Sequence, residues 1–344
     1  MQPFNPPVSD ALGRPLRDLR VSVTDRCNLR CAYCMPREAF GRGFVFMRHG
    51  ELLSFEEIVR LARECVALGV SKIRLSGGEP LLRRGIEELI EMLGMLRGAD
   101  GRRVELAMTT NGLLLAKKAR DLKDAGLDRL NVSLDALDEA VYCRVTGGEA
   151  RPGDVLEGID AARAAGFAPV KVNAVVRRGV NEGEILPLVR RFRHTGVILR
   201  FIEYMDVGET NGWRLDDVVP ADEILARVGA VFPLRPAPAG RAGEVARRWE
   251  FADGGGEIGL IASVTQAFCQ DCGRLRLATD GRLYTCLFAA EGADLRAPLR
   301  SGASNDDLRA KIAAVWSARA DAYSQHRQAA PRPAKKIEMS YIGG

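Results

Sequence analysis

The chain has 344 residues, 47% of them hydrophobic and 36 of them glycine, enough for one large domain or a domain with an extension. No run of about 18 consecutive apolar residues occurs, which argues against a membrane span. Fifty basic against 45 acidic residues leave a formal charge of +5, a mild balance that suits a polyanionic small molecule; with only 6% aromatic residues it falls short of what a nucleic-acid surface calls for.

Residues 1–18 are Pro-rich and polar and are expected to form a loosely held arm. Residues 19–24 (LRVSVT) read as a strand, and a cysteine-rich loop follows. Ser54-Phe-Glu-Glu57 fits a capping box, and Ile58, Leu61, Ala62, Cys65 and Leu68 then recur at helical spacing, which makes Cys65 a core residue. Strands are predicted at 72–76, 104–108, 129–134, 170–176 and 198–203, alternating with helices at 84–96, 114–124, 153–165 and 184–194. Six strand–helix units imply a parallel sheet with helical crossovers, too few for a closed eight-stranded barrel. The expected fold is α/β, a partial (β/α)6 TIM-like barrel over residues 19–231.

After Tyr204 the alternation stops. Residues 232–245 read as a Pro/Gly/Ala-rich linker, followed by two hairpins, ARRWEFAD-GGG-EIGLIAS and GRLRLAT-DG-RLYTC, the second marked by Asp280-Gly281. A helix at 305–317 and a tail ending in Gly343-Gly344 complete a C-terminal extension, 232–344, expected to cover the barrel. Gly254, Gly256 and Gly259 match the spacing of a dinucleotide loop, but they join two strands where that motif needs a strand and a helix, so they mark a hairpin turn.

Two cysteine sets carry the chemistry. Cys27, Cys31 and Cys34 form C-x3-C-x2-C, one ligand short of a four-cysteine zinc site, and His49, His194 and His326 all lie elsewhere in the sequence. Three thiolates on one loop suit a [4Fe-4S] cluster with an open iron; no secretory signal supports a disulfide. Cys269, Cys272 and Cys286 form C-x2-C-x13-C, which by itself fits zinc about as well as a second cluster; two matching triplets in one chain favour the cluster. Cys143 reads as structural. The loop after strand two holds Gly77-Gly78-Glu79-Pro80, and that after strand three holds Thr109-Thr110-Asn111-Gly112. Ser133 and Asp135 end strand four, Asn173 lies on strand five, and Glu203 and Met205 end strand six. Active sites of β/α barrels are built at these C-terminal strand ends.

Tyr33 before the last cysteine of the first triplet resembles the radical S-adenosylmethionine (SAM) signature. From about Leu16 to Gly344 the chain resembles the GTP 3′,8-cyclase family, which opens molybdenum cofactor biosynthesis, through DRCNLRCAYC, KIRLSGGEP, TTNG, NVSLDA, KVN, RFIEYMDVG, Arg274-x-Arg276 beside the second triplet, and the terminal Gly343-Gly344. The resemblance implies two [4Fe-4S] clusters, on Cys27, Cys31 and Cys34 and on Cys269, Cys272 and Cys286. It implies SAM against Tyr33, Gly78, Ser133 and Met205, and GTP against Arg20, Lys72, Arg74, Thr109, Lys171, Arg200, Arg274 and Arg276. Gly343 and Gly344 would reach into the barrel and help productive positioning. The implied reaction abstracts hydrogen from C3′ of GTP and joins that carbon to C8 of guanine. An electron donor, cyclic pyranopterin monophosphate synthase as the next enzyme, a cytoplasmic location and a homodimeric assembly are further expectations, with neither nucleic acid nor membrane as partner. The competing readings are a peptide-modifying radical SAM enzyme with an auxiliary cluster and a zinc protein that holds nucleic acid.

Overall fold

The computed structural model describes residues 7–148, 150–240, 243–327 and 335–343. Six strands, β1 (Asp18–Ser22), β2 (Lys72–Ser76), β3 (Glu105–Thr110), β4 (Arg129–Ser133), β5 (Lys171–Val176) and β6 (Ile198–Glu203), pair in parallel in chain order. The C-terminal region adds β7 (Leu234–Ala237), β8 (Arg247–Phe251), β9 (Glu257–Ile261), β10 (Arg274–Leu277), β11 (Arg282–Tyr284) and β12 (Ala293–Asp294). One twelve-stranded sheet results, ordered β12-β11-β10-β1-β2-β3-β4-β5-β6-β9-β8-β7.

Crossover helices follow local signals. Ser54 caps the helix Phe55–Ala67: its Oγ accepts from Glu57 N at 3.2 Å, and Glu57 Oε2 accepts from Ser54 N at 2.8 Å. Cys65 is buried in that helix's core face, as its spacing predicts. Leu19, Val21, Ile73, Leu75, Leu130, Val172, Leu199 and Leu275 alternate along the strands and share one apolar cluster with Leu61, Ile90, Leu122, Ile159, Val189 and Ile312 of the helices. The residues between them, Asp18, Arg20, Lys72, Arg74, Arg129, Lys171, Arg200, Arg274 and Arg276, line the interior. Closed β/α barrels fill that space with branched apolar side chains; here it is polar and open to a ligand.

Three expectations need correction. The hairpins of the C-terminal region extend the barrel sheet as well as flanking it: β10 lies parallel to β1, with Arg20 opposite Arg276, and β9 lies parallel to β6, with Leu199 opposite Ile258. The run of parallel strands therefore has two more members than the six predicted. Residues 232–245 contain β7, an outermost strand where Pro236 sits opposite Trp249 and its missing N–H costs no ladder bond. The described part of the N-terminal arm is firmly seated: Leu16 is fully buried, and Asp10 is buried between Arg14 at 2.6 Å and Arg319 at 3.1 Å. Among the described residues, two helices of eight residues or more went unpredicted, Glu139–Thr146 and Ala221–Gly229, along with the short ones Arg296–Arg300, Tyr323–His326 and Met339–Ile342. Cys143 is exposed, its thiol donating to Gly148 O at 2.6 Å.

Candidate active site

The two cysteine sets stand at opposite ends of the strands. Cys27 follows β1, where the parallel strands end, whereas Cys272 precedes β10, where they begin. Between them runs a cavity of about 850 Å³ lined by all six predicted cluster cysteines. Tyr33, Gly78, Ser133, Met205, Arg20, Lys72, Arg74, Thr109, Lys171, Arg200, Arg274 and Arg276 line the same cavity, which is near the upper size for a single small-molecule pocket.

At the first end, Cys34 N and Met35 N both donate to Cys31 O, at 3.0 and 2.9 Å, turning the loop on itself. Arg30 N and Ala32 N tie it to Thr146 O and Val145 O of the unpredicted helix Glu139–Thr146. Gly78 N and Glu79 N donate to Thr24 O and Arg26 O at 2.8 Å, and a Cβ on Gly77 or Gly78 would collide with those same backbone carbonyls. The glycines thus let the second loop lie flush on the cysteine loop. Glu79 then clasps the third: Oε1 accepts from Leu81 N at 3.0 Å and Thr110 Oγ1 at 2.7 Å, Oε2 from Asn111 N at 2.7 Å. Asn111 Nδ2 approaches Cys27 Sγ at 3.8 Å. Tyr33 donates to Asp135 Oδ2 at 2.9 Å while Val175 N holds Oδ1 at 2.8 Å. Burial dominates the electrostatics here, pushing Glu79 up to about 7, Asp135 up to about 6 and the Cys27 thiol up to about 11.

At the second end two arginines grip the C-x2-C turn by its backbone. Arg14 Nη1 donates to Cys269 O at 2.9 Å and Arg319 Nη1 to Cys272 O at 2.6 Å. Arg274 Nε donates to Cys272 Sγ at 3.3 Å. Burial pushes the Cys272 thiol up, but the charges of Arg274 and Arg319 outweigh it and bring the thiol down to about 6, favouring the thiolate a metal centre needs. Cys286 is pushed up to about 11, chiefly by burial.

The middle of the cavity is cationic. Burial and then the charge of Arg274 depress Arg20 to about 9; burial depresses Arg74 to about 10; burial, then Arg200 and Arg129, depress Lys171 to about 8. Like charges gathered in a buried space call for an anion. Arg20 Nε, Ser76 Oγ and Asn173 Oδ1 are buried without a hydrogen-bond partner among the described residues, the condition of groups waiting for a ligand. Lys72 lies beside Glu105 at 3.2 Å and Asp18 at 4.0 Å, so part of its charge is balanced within the protein.

The C-terminal tail closes on this space. Lys336 Nζ donates to Asp206 Oδ2 and O, both at 2.8 Å. Glu338 accepts from Glu209 N at 3.0 Å and Thr210 Oγ1 at 3.2 Å. Ile342 is buried against Ala278 and Tyr284, and Arg276 donates to Gly343 O. Gly344 lies outside the described residues. Sequence reasoning gave no role to Glu79, Arg129, Asp206, Lys336 or Glu338. Arg129 was within reach, since it opens β4 with the same alternation that picks out Arg74 on β2; the tail contacts had no local signal.

The donor sets and the polar lining fit iron–sulfur clusters and an anionic ligand. Residues 21–192 match the model of the radical SAM superfamily, and residues 197–325 that of Molybdenum Cofactor Synthesis C. The fold and the first cysteine loop thus define a radical SAM enzyme. A protein of Acidothermus cellulolyticus named GTP 3′,8-cyclase is 51% identical over 98% of this chain and 99% of its own length. Proteins of the same name from Staphylococcus saprophyticus and Xanthomonas axonopodis pv. citri are each 48% identical over the same shares. The chain belongs to the GTP 3′,8-cyclase family. The crystal structure of Streptococcus suis SuiB bound to S-adenosylmethionine shares the fold, at a TM-score of 0.50 and 20% identity over 63% of this chain and 46% of that one. The enzyme's cofactors are SAM and two [4Fe-4S] clusters. No helix among the described residues is long and apolar enough to cross a membrane.

Proposed function

We propose that the enzyme converts GTP to (8S)-3′,8-cyclo-7,8-dihydroguanosine 5′-triphosphate, the first step of molybdenum cofactor biosynthesis. The observation that carries this reading is the opening of both cysteine triplets onto one cavity from opposite ends, with a cationic interior between them. Cys27, Cys31 and Cys34 would hold the first cluster, and Cys269, Cys272 and Cys286 the second. Held there and reduced, the first cluster would supply the electron for the reductive cleavage of SAM that starts radical chemistry on the substrate.

The chain's own residues bind, orient and exclude water. Tyr33, fixed by Asp135, and Gly78, Ser133 and Met205 would bound the SAM site. Arg20, Arg74, Lys171, Arg274 and Arg276, with Thr109, Lys72 and Arg200, would receive the triphosphate, Arg forks bidentately and Lys as a point charge. Held by both ends of the cavity, C3′ of the ribose stays near the site of SAM cleavage, which removes most of the orientational cost of the step. The tail, with Gly343 bonded to Arg276, would help shut water out. A cytoplasmic location, a separate electron donor, transfer of product to cyclic pyranopterin monophosphate synthase and a homodimeric assembly complete the reading.

The test is anaerobic turnover of iron- and sulfide-reconstituted protein with SAM and dithionite, comparing GTP, ATP and no nucleotide. GTP-dependent 5′-deoxyadenosine with a nucleotide product isomeric with GTP, of the same mass but separated from it by chromatography, is expected. SAM cleavage indifferent to GTP would sink the substrate assignment.

A further inference from the structure

The segment just past the third cysteine is not part of the cavity. Residues 37–39 and 41–45 are exposed, and Val45 at 85% and Phe44 at 41% relative exposure form an apolar tip facing solvent. The segment is nevertheless built. Arg30 Nε donates to Phe40 O at 2.9 Å, and Met47 N donates to Asp25 Oδ2 at 2.7 Å, so both ends are bolted to the loop that carries Cys27 and Cys31. Between the bolts Phe40, Phe44 and Phe46 pack in series, the first pair tilted and the second edge-on, with centroids 4.6 and 4.8 Å apart. Arg26 and Arg30 sit over the Phe46 ring at 5.8 and 5.5 Å.

The charge around the tip is one-sided. Between residues 26 and 51 the exposed ionised side chains are Arg26, Arg37, Arg42 and Arg48 against two carboxylates, Glu38 and Glu51, the latter accepting from Arg48 N at 2.7 Å. An exposed apolar centre with a charged rim is the anatomy of an interface, and this one takes an acidic partner. Reductive cleavage of SAM consumes one electron in each turnover, which neither SAM nor GTP provides, so a carrier must deliver it from outside.

We infer that the Phe44–Val45 tip and its arginine rim are the docking surface for an acidic one-electron carrier that reduces the first cluster. This rests on the cluster assignment in the proposed function. In the step itself one electron leaves the reduced carrier and enters the cluster: the carrier is oxidised by one electron, the cluster reduced by one, and no bond is made or broken. The surface sits on the same folded loop as the cysteines, so docking brings the carrier to the cluster without opening the GTP cavity.

The experiment uses the full-length, cluster-loaded enzyme and an acidic flavodoxin as the probe. Arg37, Arg42 and Arg48, none of which lines the cavity, are reversed together to Glu; Val45→Asp is a second variant that leaves the rim intact. Binding is read by calorimetry at low and high salt, and 5′-deoxyadenosine formation is driven in parallel by reduced flavodoxin and by dithionite. The triple variant should bind flavodoxin at least about tenfold more weakly and lose the salt dependence of the wild type. Flavodoxin-driven turnover should fall by a similar factor while dithionite-driven turnover stays unchanged. Wild-type enzyme that does not bind flavodoxin, or variants that bind and turn over with it as the wild type does, would overturn the docking surface. Loss of the dithionite reaction in the wild type would instead overturn the cluster assignment, and the binding arm would still judge the surface.

Discussion

Arg276 donates from its buried guanidinium to the carbonyl of Gly343, joining the strand beside the second cysteine set to the end of the chain. Gly343 has φ 72°, and a Cβ there would collide with Ser76 Oγ, one of the unpartnered polar atoms of the cavity. The substitution Gly343→Ala therefore meets backbone strain of about 1–3 kcal/mol and a steric clash together. Cyclised product should fall at least about tenfold, with iron content and GTP affinity within about twofold of wild type. Deleting Gly343 and Gly344 should do the same. Turnover and filter binding on the same preparations check this, and unchanged turnover in either variant would remove the tail from the site.

The tail has a second anchor further back. Asp206 accepts from Lys336 at 2.8 Å, Arg327 at 2.8 Å and Tyr323 at 2.6 Å, with all three charged side chains at most 10% exposed. Burial pushes the Asp206 carboxyl up, but these partners together hold it below its ordinary value of 3.8. A depressed carboxylate contributes stability above its unfolded pKa and loses it as pH falls through the folded one. The tail should therefore stay seated from neutral pH down to about 4 and loosen only below that. Asp206→Asn leaves two buried cations uncompensated, at a cost on the order of 3–5 kcal/mol, and should release the tail at neutral pH. Faster hydrogen exchange over residues 336–343 is the expected readout; protection equal to wild type would sink the anchor.

What could be read from the sequence divides along the distance over which each feature is determined. Cys27, Cys31 and Cys34 lie within eight residues, and their spacing alone announces the loop. The helix at Ser54 is announced by its own capping box. By contrast β10 is four residues long, and its parallel partner β1 lies some 250 residues earlier, so only its antiparallel hairpin with β11 was visible. Arg14 and Asp10 look like a polar arm until Arg319 and the Cys269 carbonyl arrive from the far end of the chain. The C-terminal strand ends account for the first cysteine set; the second is at the other end because its strand enters the sheet from the C-terminal region. Glu338 meets Glu209 and Thr210 through tertiary contacts that no local pattern encodes.

Lys171 gives the site a pH dependence. Burial, reinforced by Arg200 and Arg129, lowers its ammonium to about 8 in the absence of ligand. Below that value it is charged and attracts the triphosphate; as pH rises through about 8 it becomes neutral and the attraction is lost. GTP affinity should be flat from about pH 6.5 to 7.5 and fall by roughly threefold to tenfold by pH 9. Lys171→Arg keeps its charge over that range and should flatten the fall. Calorimetric titrations across pH test both, and a profile for Lys171→Arg that matches wild type would assign the dependence to another group.

The two cysteine sets can be separated because they stand at opposite ends of one cavity. Cys34→Ala removes a ligand from the first set and leaves the Arg14 and Arg319 grips on the second untouched. Reconstituted Cys34→Ala should hold about half the iron and sulfide of wild type and form no 5′-deoxyadenosine. Cys286→Ala should also hold about half the iron, yet still cleave SAM with dithionite, because Tyr33, Asp135 and the loop clasped by Glu79 remain in place. Its cyclisation of GTP should fall by at least about a hundredfold, since loss of substrate orientation removes more than removal of one binding contact. Iron and sulfide assays beside product analysis read both halves. Full iron content in Cys286→Ala would place the second cluster on other ligands, and loss of SAM cleavage in the same variant would mean that the two ends of the cavity do not act separately.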